Sequence, residues 1–195
     1  MATMTTKDEK QLRLHPLIRG LQEAETNEDR ATLAKLRRGL GKNVGEPGAA
    51  ERDGWVLQRL PPDVGRSALD RCCLVASLFG LHPLPFKSDA KSLKKHTLGT
   101  SFRQLDEKLN GQRTQKKERK RKGPERRFVA LLDSDPADLP LRLRHAVSLF
   151  KGNDISINYQ RLLRDLRNWS HPERFVQRRW ASDFWGRNPQ REAED

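Results

Sequence analysis

The 195-residue sequence predicts an all-α fold, a compact helical protein of about eight or nine helices in two helical halves. Three observations predict it. Leu, Val, Phe and Trp recur in clusters at helical spacing along most of the chain. No segment sustains an apolar–polar alternation of period two between hairpin turns. Capping residues, prolines and glycines punctuate the apolar stripes where helices would start and stop.

The elements follow in order. Leu12, Leu14, Leu17, Ile18 and Leu21 mark a first helix that Pro16 either kinks or begins. Thr26–Asp29 supplies a capping start for a second, carried by Leu33 and Leu36 and stopped by Gly39 and Gly41. Residues 42–50 form a loop, and a short helix around Trp55, Val56, Leu57 and Leu60 ends at Pro61. Ser67–Leu81 has the broadest apolar stripe, with Ala68, Cys72, Val75, Ala76 and Phe79, and is the most buried segment. The polar, lysine-rich residues 86–96 read as a linker, dividing an N-terminal helical half (10–96) from a C-terminal one (97–187). A helix from Thr97 to about Leu109 is followed by a basic flexible loop, 110–123. Pro124–Glu125 opens a helix with Phe128, Leu131 and Leu132, and Ser134-Asp135-Pro136 starts one running to Phe150. Asn158 caps a helix with Leu162, Leu163, Leu166 and Trp169 on one side. Ser170-His171-Pro172-Glu173 matches a capping box ahead of Phe175, Val176, Trp180, Phe184 and Trp185. All four tryptophans sit within apolar stripes, which predicts core positions for them.

Charge narrows the partner class. Hydrophobic residues make up 34% of the chain and charged residues 33%, so the core is thin and the polar surface large. The net charge of +13 favours a polyanion, nucleic acid before membrane. Adjacent Cys72 and Cys73 are poorly placed to bridge each other and read as core residues of a reduced, cytoplasmic protein. The first residues lack the apolar region of a signal peptide, and the longest apolar run, around Leu74–Leu81, is too short to span a bilayer.

The side chains that carry chemistry are scattered. His15, His82, His96, His145 and His171 form no HxH or HExxH pattern, and the cysteines lack zinc-site spacing. Gly39-Leu40-Gly41-Lys42-Asn43 has only a superficial likeness to a phosphate loop, with no Walker spacing and no preceding strand. The reading is therefore no catalytic residues, no metal and no cofactor.

Basic residues at helical spacing are the informative feature. Lys35 and Arg38 are three apart, as are Arg161 and Arg164, and Arg174 and Arg178 are four apart with Arg179 adjacent. Arg142 and Arg144 flank Leu143. The stretch GQRTQKKERKRKGPERR, residues 111–127, holds nine basic and two acidic residues. Its last two arginines, Arg126 and Arg127, lie beyond Pro124 on a helix and are the better placed for positioned phosphate contacts. No base-reading motif accompanies these residues, so the expected mode is backbone binding without sequence readout.

The order of segments resembles a known family. The segments are Leu33–Leu40, a Trp55 helix, Leu74–Pro83, Thr97–Phe102, Glu125–Asp133, Leu139–Arg144, Asn158–Leu166 with Trp169, and Arg179–Trp185. Together, from about residue 10 to 186, they are similar to the CasB family, the small subunit of the type I-E CRISPR surveillance complex called Cascade. The resemblance implies an all-helical, non-catalytic subunit in antiviral defence. It implies a second copy of itself, the backbone and large Cascade subunits with crRNA, and target DNA in an R-loop as partners. It implies phosphate contacts from Lys35, Arg37, Arg38, Arg126, Arg127, Arg142 and Arg144, while helical spacing alone adds Arg161, Arg164 and Arg178. The segment between Leu109 and Glu125 is longer and more basic than the family pattern. The alternative reading of the same charge is a standalone RNA or DNA chaperone, or a ribosome-associated protein.

Overall fold

The structure is a computed structural model that describes residues 14–87, 90–110 and 123–186. Ten helices lie among them: α1 (Pro16–Thr26), α2 (Arg30–Arg38), α3 (Ala50–Leu57), α4 (Arg66–Leu81), α5 (Ala90–Lys95), α6 (Leu98–Asn110), α7 (Gly123–Leu132), α8 (Leu139–Lys151), α9 (Tyr159–Arg167) and α10 (Phe175–Trp185). The described residues include no strand, only an isolated bridge between Pro85 and Ile157. The all-α expectation holds. Most of the basic stretch, residues 111–122, lies outside the described residues.

Helix α4 is the hub. Every residue from Val75 to Gly80 is buried, so this end of the helix has no polar face and must be enclosed. Helices α1, α2, α3, α8 and α9 pack on it. The α2 crossing is close enough that a Cβ on Gly80 would lie 2.7 Å from the Arg37 backbone nitrogen and 2.8 Å from the Leu33 oxygen. A second crossing, α6 on α10, is equally tight: a Cβ on Gly99 would collide with the Trp180 backbone carbonyl. Phe102, Phe128 and Phe150 pack as a ring cluster joining α6, α7 and α8, with centroids 4.8 to 4.9 Å apart. One contiguous hydrophobic cluster includes residues from both sides of segment 82–96.

Cys72 and Cys73 are free and buried within this cluster. Burial raises their thiols to about 11 and about 12, so neither is a thiolate at neutral pH.

Three starts differ from the sequence reading. The linker 86–96 contains α5, which has too few apolar residues to announce itself and is held by its carbonyls. Asn158 Nδ2 donates to Leu93 O at 2.6 Å and Arg161 Nη1 to Lys94 O at 2.7 Å. Helix α8 begins at Leu139 rather than at Pro136: residues 136–138 form a turn closed onto Asp135 O, and Pro140 has no N–H to continue the ladder onto the Pro136 carbonyl. The Ser170–Glu173 capping box does not form. Residues 170–174 turn tightly, Arg174 takes φ +50°, and α10 starts at Phe175. The predicted Asn158 cap is present, with Oδ1 accepting from Arg161 N at 2.9 Å.

Two buried histidines lock the 82–101 region onto the loop before α9. His82 Nε2 donates to Ile155 O at 2.8 Å. Ser101 Oγ donates to Ser156 O and so accepts from His96 Nε2, 3.1 Å away, while Phe86 stacks on the His96 ring at 3.8 Å. Burial lowers both histidines, His96 to about 4. Folding therefore favours the neutral rings, and the unfolded chain binds more protons between about pH 4 and the unperturbed histidine value near 6.5. The stability they supply is complete above about pH 6.5 and is lost as pH falls towards 4. The urea midpoint should decline across that window, and His96→Gln should flatten part of the decline. An identical pH profile for wild type and variant would refute this assignment.

Candidate nucleic-acid interface

The basic side chains are set by the helices that carry them. Arg37, Arg126, Arg127, Arg142, Arg144, Arg164 and Arg178 are all exposed, and their guanidinium groups hold no ion pair among the described residues. Each is rooted on a helix, which fixes its Cα while leaving the charge in water. Lys35 is half-buried. Arg38 is exposed and pairs with Glu51 on α3 at 2.6 Å, a surface contact of little energy that a phosphate can displace.

Arg161 is not placed for the phosphate contact that its helical spacing suggested. Its side chain is only 11% exposed, because it turns inward to Asp165, 2.9 Å from Nε, as well as to the Lys94 carbonyl. Asp165 is itself 1% exposed and also accepts from Arg179 Nη2 at 2.8 Å and Trp180 Nε1 at 2.7 Å. This node ties α9 to α10. Arg161 is a structural cation here, and Arg179 joins it. The i, i+4 spacing of Arg161 and Asp165 was the only sequence signal for it.

The structure brings Arg144 together with residues the sequence reading did not connect. A cleft of about 710 Å³ opens between the 39–44 loop, the first turns of α4 and the start of α8. Lys42, Arg66, Arg71 and Arg144 line it with a single acid, Asp70. Arg66 donates to Asp70 Oδ1 at 3.1 Å and to Val44 O at 2.9 Å, and Arg71 to Ser67 Oγ at 3.0 Å. Lys42 Nζ is turned to Pro47 O. Arg144 lies over Gly41 and, of these four cations, is the one with no hydrogen bond or ion pair among the described residues. Arg142, two residues away, is not on this cleft, as the roughly 200° between them on a helix requires.

The cleft is shaped by a buried arginine. Arg52, 2% exposed, donates through Nη1 to Gly39 O at 2.6 Å and Lys42 O at 3.0 Å, and through Nη2 to Asn43 O at 3.3 Å. Its Nε reaches Asp53 Oδ1 at 2.8 Å, and Asp53 Oδ2 accepts from Gly45 N at 2.8 Å. The backbone N–H groups of Gly39 and Leu40 satisfy the α2 carbonyls of Leu36 and Arg37, and one guanidinium fork holds the carbonyls of the cap residue and the loop after it. Sequence periodicity carries no mark of this, since Arg52 lies in a short helix among other charged residues.

Arg164 belongs to another place. With Lys87, Lys94 and Arg161 it rims a smaller pocket of about 380 Å³ floored by Ile18, Phe79 and Ile157. Among the described residues, no three His, Cys, Asp or Glu side chains converge as metal ligands, and no helix is long and apolar enough to cross a membrane.

The tryptophans divide. Trp180 and Trp169 are buried, as expected. Trp55 is partly buried and carries the Arg59 guanidinium 3.6 Å from its ring centre. Trp185 departs from the core expectation: it is 50% exposed at the end of α10.

Comparison with known proteins agrees with this architecture. Residues 32–185 match the family model described as CRISPR-associated protein Cse2. A curated Cse2 protein from Thermus thermophilus is 48% identical over 62 residues, an alignment covering 32% of this chain and 35% of that relative. The chain thus spans about a third of the length of the curated relative it matches. The crystal structure of M. ruber CasB superposes with a TM-score of 0.63 at 30% identity, covering 90% of this chain and 98% of the other. A chain of a CRISPR RNA-guided surveillance complex shares the fold, with a TM-score of 0.65 at 21% identity, 86% of this chain and 88% of that one. The chain belongs to the CRISPR-associated Cse2 family.

Proposed function

We infer that this chain is a non-catalytic, nucleic-acid-binding structural subunit of a cytoplasmic, crRNA-guided type I-E Cascade complex. In this reading it contacts the backbone and large subunits and a second copy of itself. It holds DNA strands of the R-loop by sequence-independent phosphate contacts. The observation that carries the reading, beside family membership, is the set of helix-rooted arginines without an ion pair among the described residues: Arg37, Arg126, Arg127, Arg142, Arg144, Arg164 and Arg178. Lys35 and Arg38 extend it, and Arg161 supports the fold beneath it. Charges at fixed spacing neutralise phosphates and release counterions, which gives affinity without base readout. R-loop formation exchanges one duplex for another of similar stability, so such contacts are enough to bias it.

The chain purified from its own cells at near-physiological salt should bring down short repeat-derived RNAs and stoichiometric protein partners. Recovery of ribosomal RNA instead, or of the chain alone, would contradict the assignment and favour a ribosome-associated or standalone binder.

A further inference from the structure

We propose that the pocket between α1, the 84–87 segment, α5 and the start of α9 docks a protein segment of another subunit, one that carries a large apolar side chain beside acidic residues. The proposal rests on the subunit reading given above and reassigns Arg164 from phosphate to that partner.

The pocket has an apolar floor. Ile18, Phe79, Phe86, Leu93 and Ile157 line a volume of about 380 Å³, within the range of ligand pockets. Most of its interior polar groups are already engaged. Asn158 Oδ1 accepts from Arg161 N and its Nδ2 donates to Leu93 O. Tyr159 Oη donates to His82 O, and Gln160 Oε1 accepts from His15 N at 3.1 Å. A nucleobase would bring several donors and acceptors into a space with few groups left to meet them, and each unmade hydrogen bond costs free energy. An apolar side chain brings none.

The rim is cationic. Lys87, Lys94 and Arg164 are exposed on three separate segments around it, and Arg161 adds a fourth cation. Lys87 and Arg161 have counterions, Glu25 and Asp165. Lys94 and Arg164 have none among the described residues, and no acidic side chain among them lines the pocket. A segment with carboxylates beside an apolar anchor meets floor and rim together. A fatty acid has one carboxylate and leaves the rest of the rim unanswered. The chain's own ends lack this chemistry. Residues 1–13 lead into Leu14, which lines the pocket, but they carry three bases against two acids. Residues 187–195 hold acids but no large apolar side chain. A second copy brings its own net charge of +13.

The test uses the assembled complex, with a photo-crosslinking residue in place of Lys87, whose charge is already met by Glu25. It should join to a segment of another protein subunit in which a large apolar residue stands beside acids. Gln22→Trp fills the pocket from a half-buried position whose side chain has no partner among the described residues, and it should abolish that cross-link. It should also weaken the affinity of the labelled chain for a complex assembled without it roughly 30-fold, the scale of losing one interface hot spot. Lys94→Glu should weaken it as well, with a smaller loss at high salt. The thermal midpoint and DNA affinity of isolated Gln22→Trp should match wild type. No cross-link, cross-links only to nucleic acid, to a second copy or to residues 1–13, or wild-type affinity in Gln22→Trp, would overturn the docking pocket while the subunit reading stands. A wild-type chain that does not join the complex would overturn both.

Discussion

Asp165→Ala should destabilise the protein by about 3–5 kcal/mol, the usual cost of removing one partner from a buried ion pair. The carboxylate is 1% exposed and satisfies three donors on two helices: Arg161 Nε, Arg179 Nη2 and Trp180 Nε1. Its loss leaves the Arg161 charge, 11% exposed, without a counterion, and leaves the Trp180 indole N–H unsatisfied in the core. Total stabilities are about 5–15 kcal/mol, so the loss is a large fraction of the whole. Asp165→Asn should fall between the two, since the amide keeps an acceptor without the charge. Urea unfolding at pH 7 measures both variants. A loss below about 1 kcal/mol for Asp165→Ala, the range of an exposed pair, would show that α9 and α10 are not held together in this way.

Arg52→Ala should cost a similar amount, about 3–5 kcal/mol by the same reasoning, with a local signature as well. Removing the fork takes the counterion from Asp53 and a donor from each of the Gly39, Lys42 and Asn43 carbonyls. Amides of the 39–45 loop should then lose hydrogen-exchange protection out of proportion to the rest of the chain. Arg52→Lys should not rescue, because an ammonium cannot fork to several carbonyls in one plane. Arg52→Met combined with Asp53→Leu should be less destabilised than Arg52→Ala, since it leaves no unpaired charge behind. Unaltered protection of the loop in Arg52→Ala would refute the role assigned to the fork.

Much of this architecture was legible from apolar spacing. Helix α4 announced itself through its broad stripe, and α9 through its leucines and the Asn158 cap. Periodicity reports which positions a helix turns inward, and those helices bury large apolar side chains. It fails where tertiary contacts supply the order, as in α5, whose carbonyls are held by Asn158 and Arg161. It fails again where a local pattern competes with chain direction, as at the unformed Ser170–Glu173 box.

Charge was read less well than hydrophobicity, for a physical reason. Helical spacing places Arg161 and Arg164 near one another, but it cannot say that one side chain folds back onto a buried acid while the other stays in water. Nor can it show that Arg144, Arg66 and Arg71 meet across a cleft, because those residues come from helices far apart in sequence. Trp185 illustrates the converse. An apolar stripe at the end of a helix outruns the core that the helix packs against, and its last ring is left half in solvent. Gly80 and Gly99 lie within the segments that carried the family resemblance, and both sit where helix backbones nearly touch. Part of what makes those segments recognisable is therefore packing.

The central claim is that exposed arginines on rigid helices hold R-loop strands. Its most direct test is the lifetime of the R-loop on the assembled complex when Arg126, Arg127 and Arg142 are all replaced by alanine. Being exposed and without an ion pair among the described residues, the three should change the unfolding free energy of the isolated chain little, by about 0.5 kcal/mol each at most. The account predicts normal assembly, an R-loop lifetime shortened roughly tenfold or more, and a salt slope for DNA binding reduced by about 2–3 for the three lost phosphate contacts. An R-loop lifetime equal to that of wild type, in a complex that assembles normally, would contradict it.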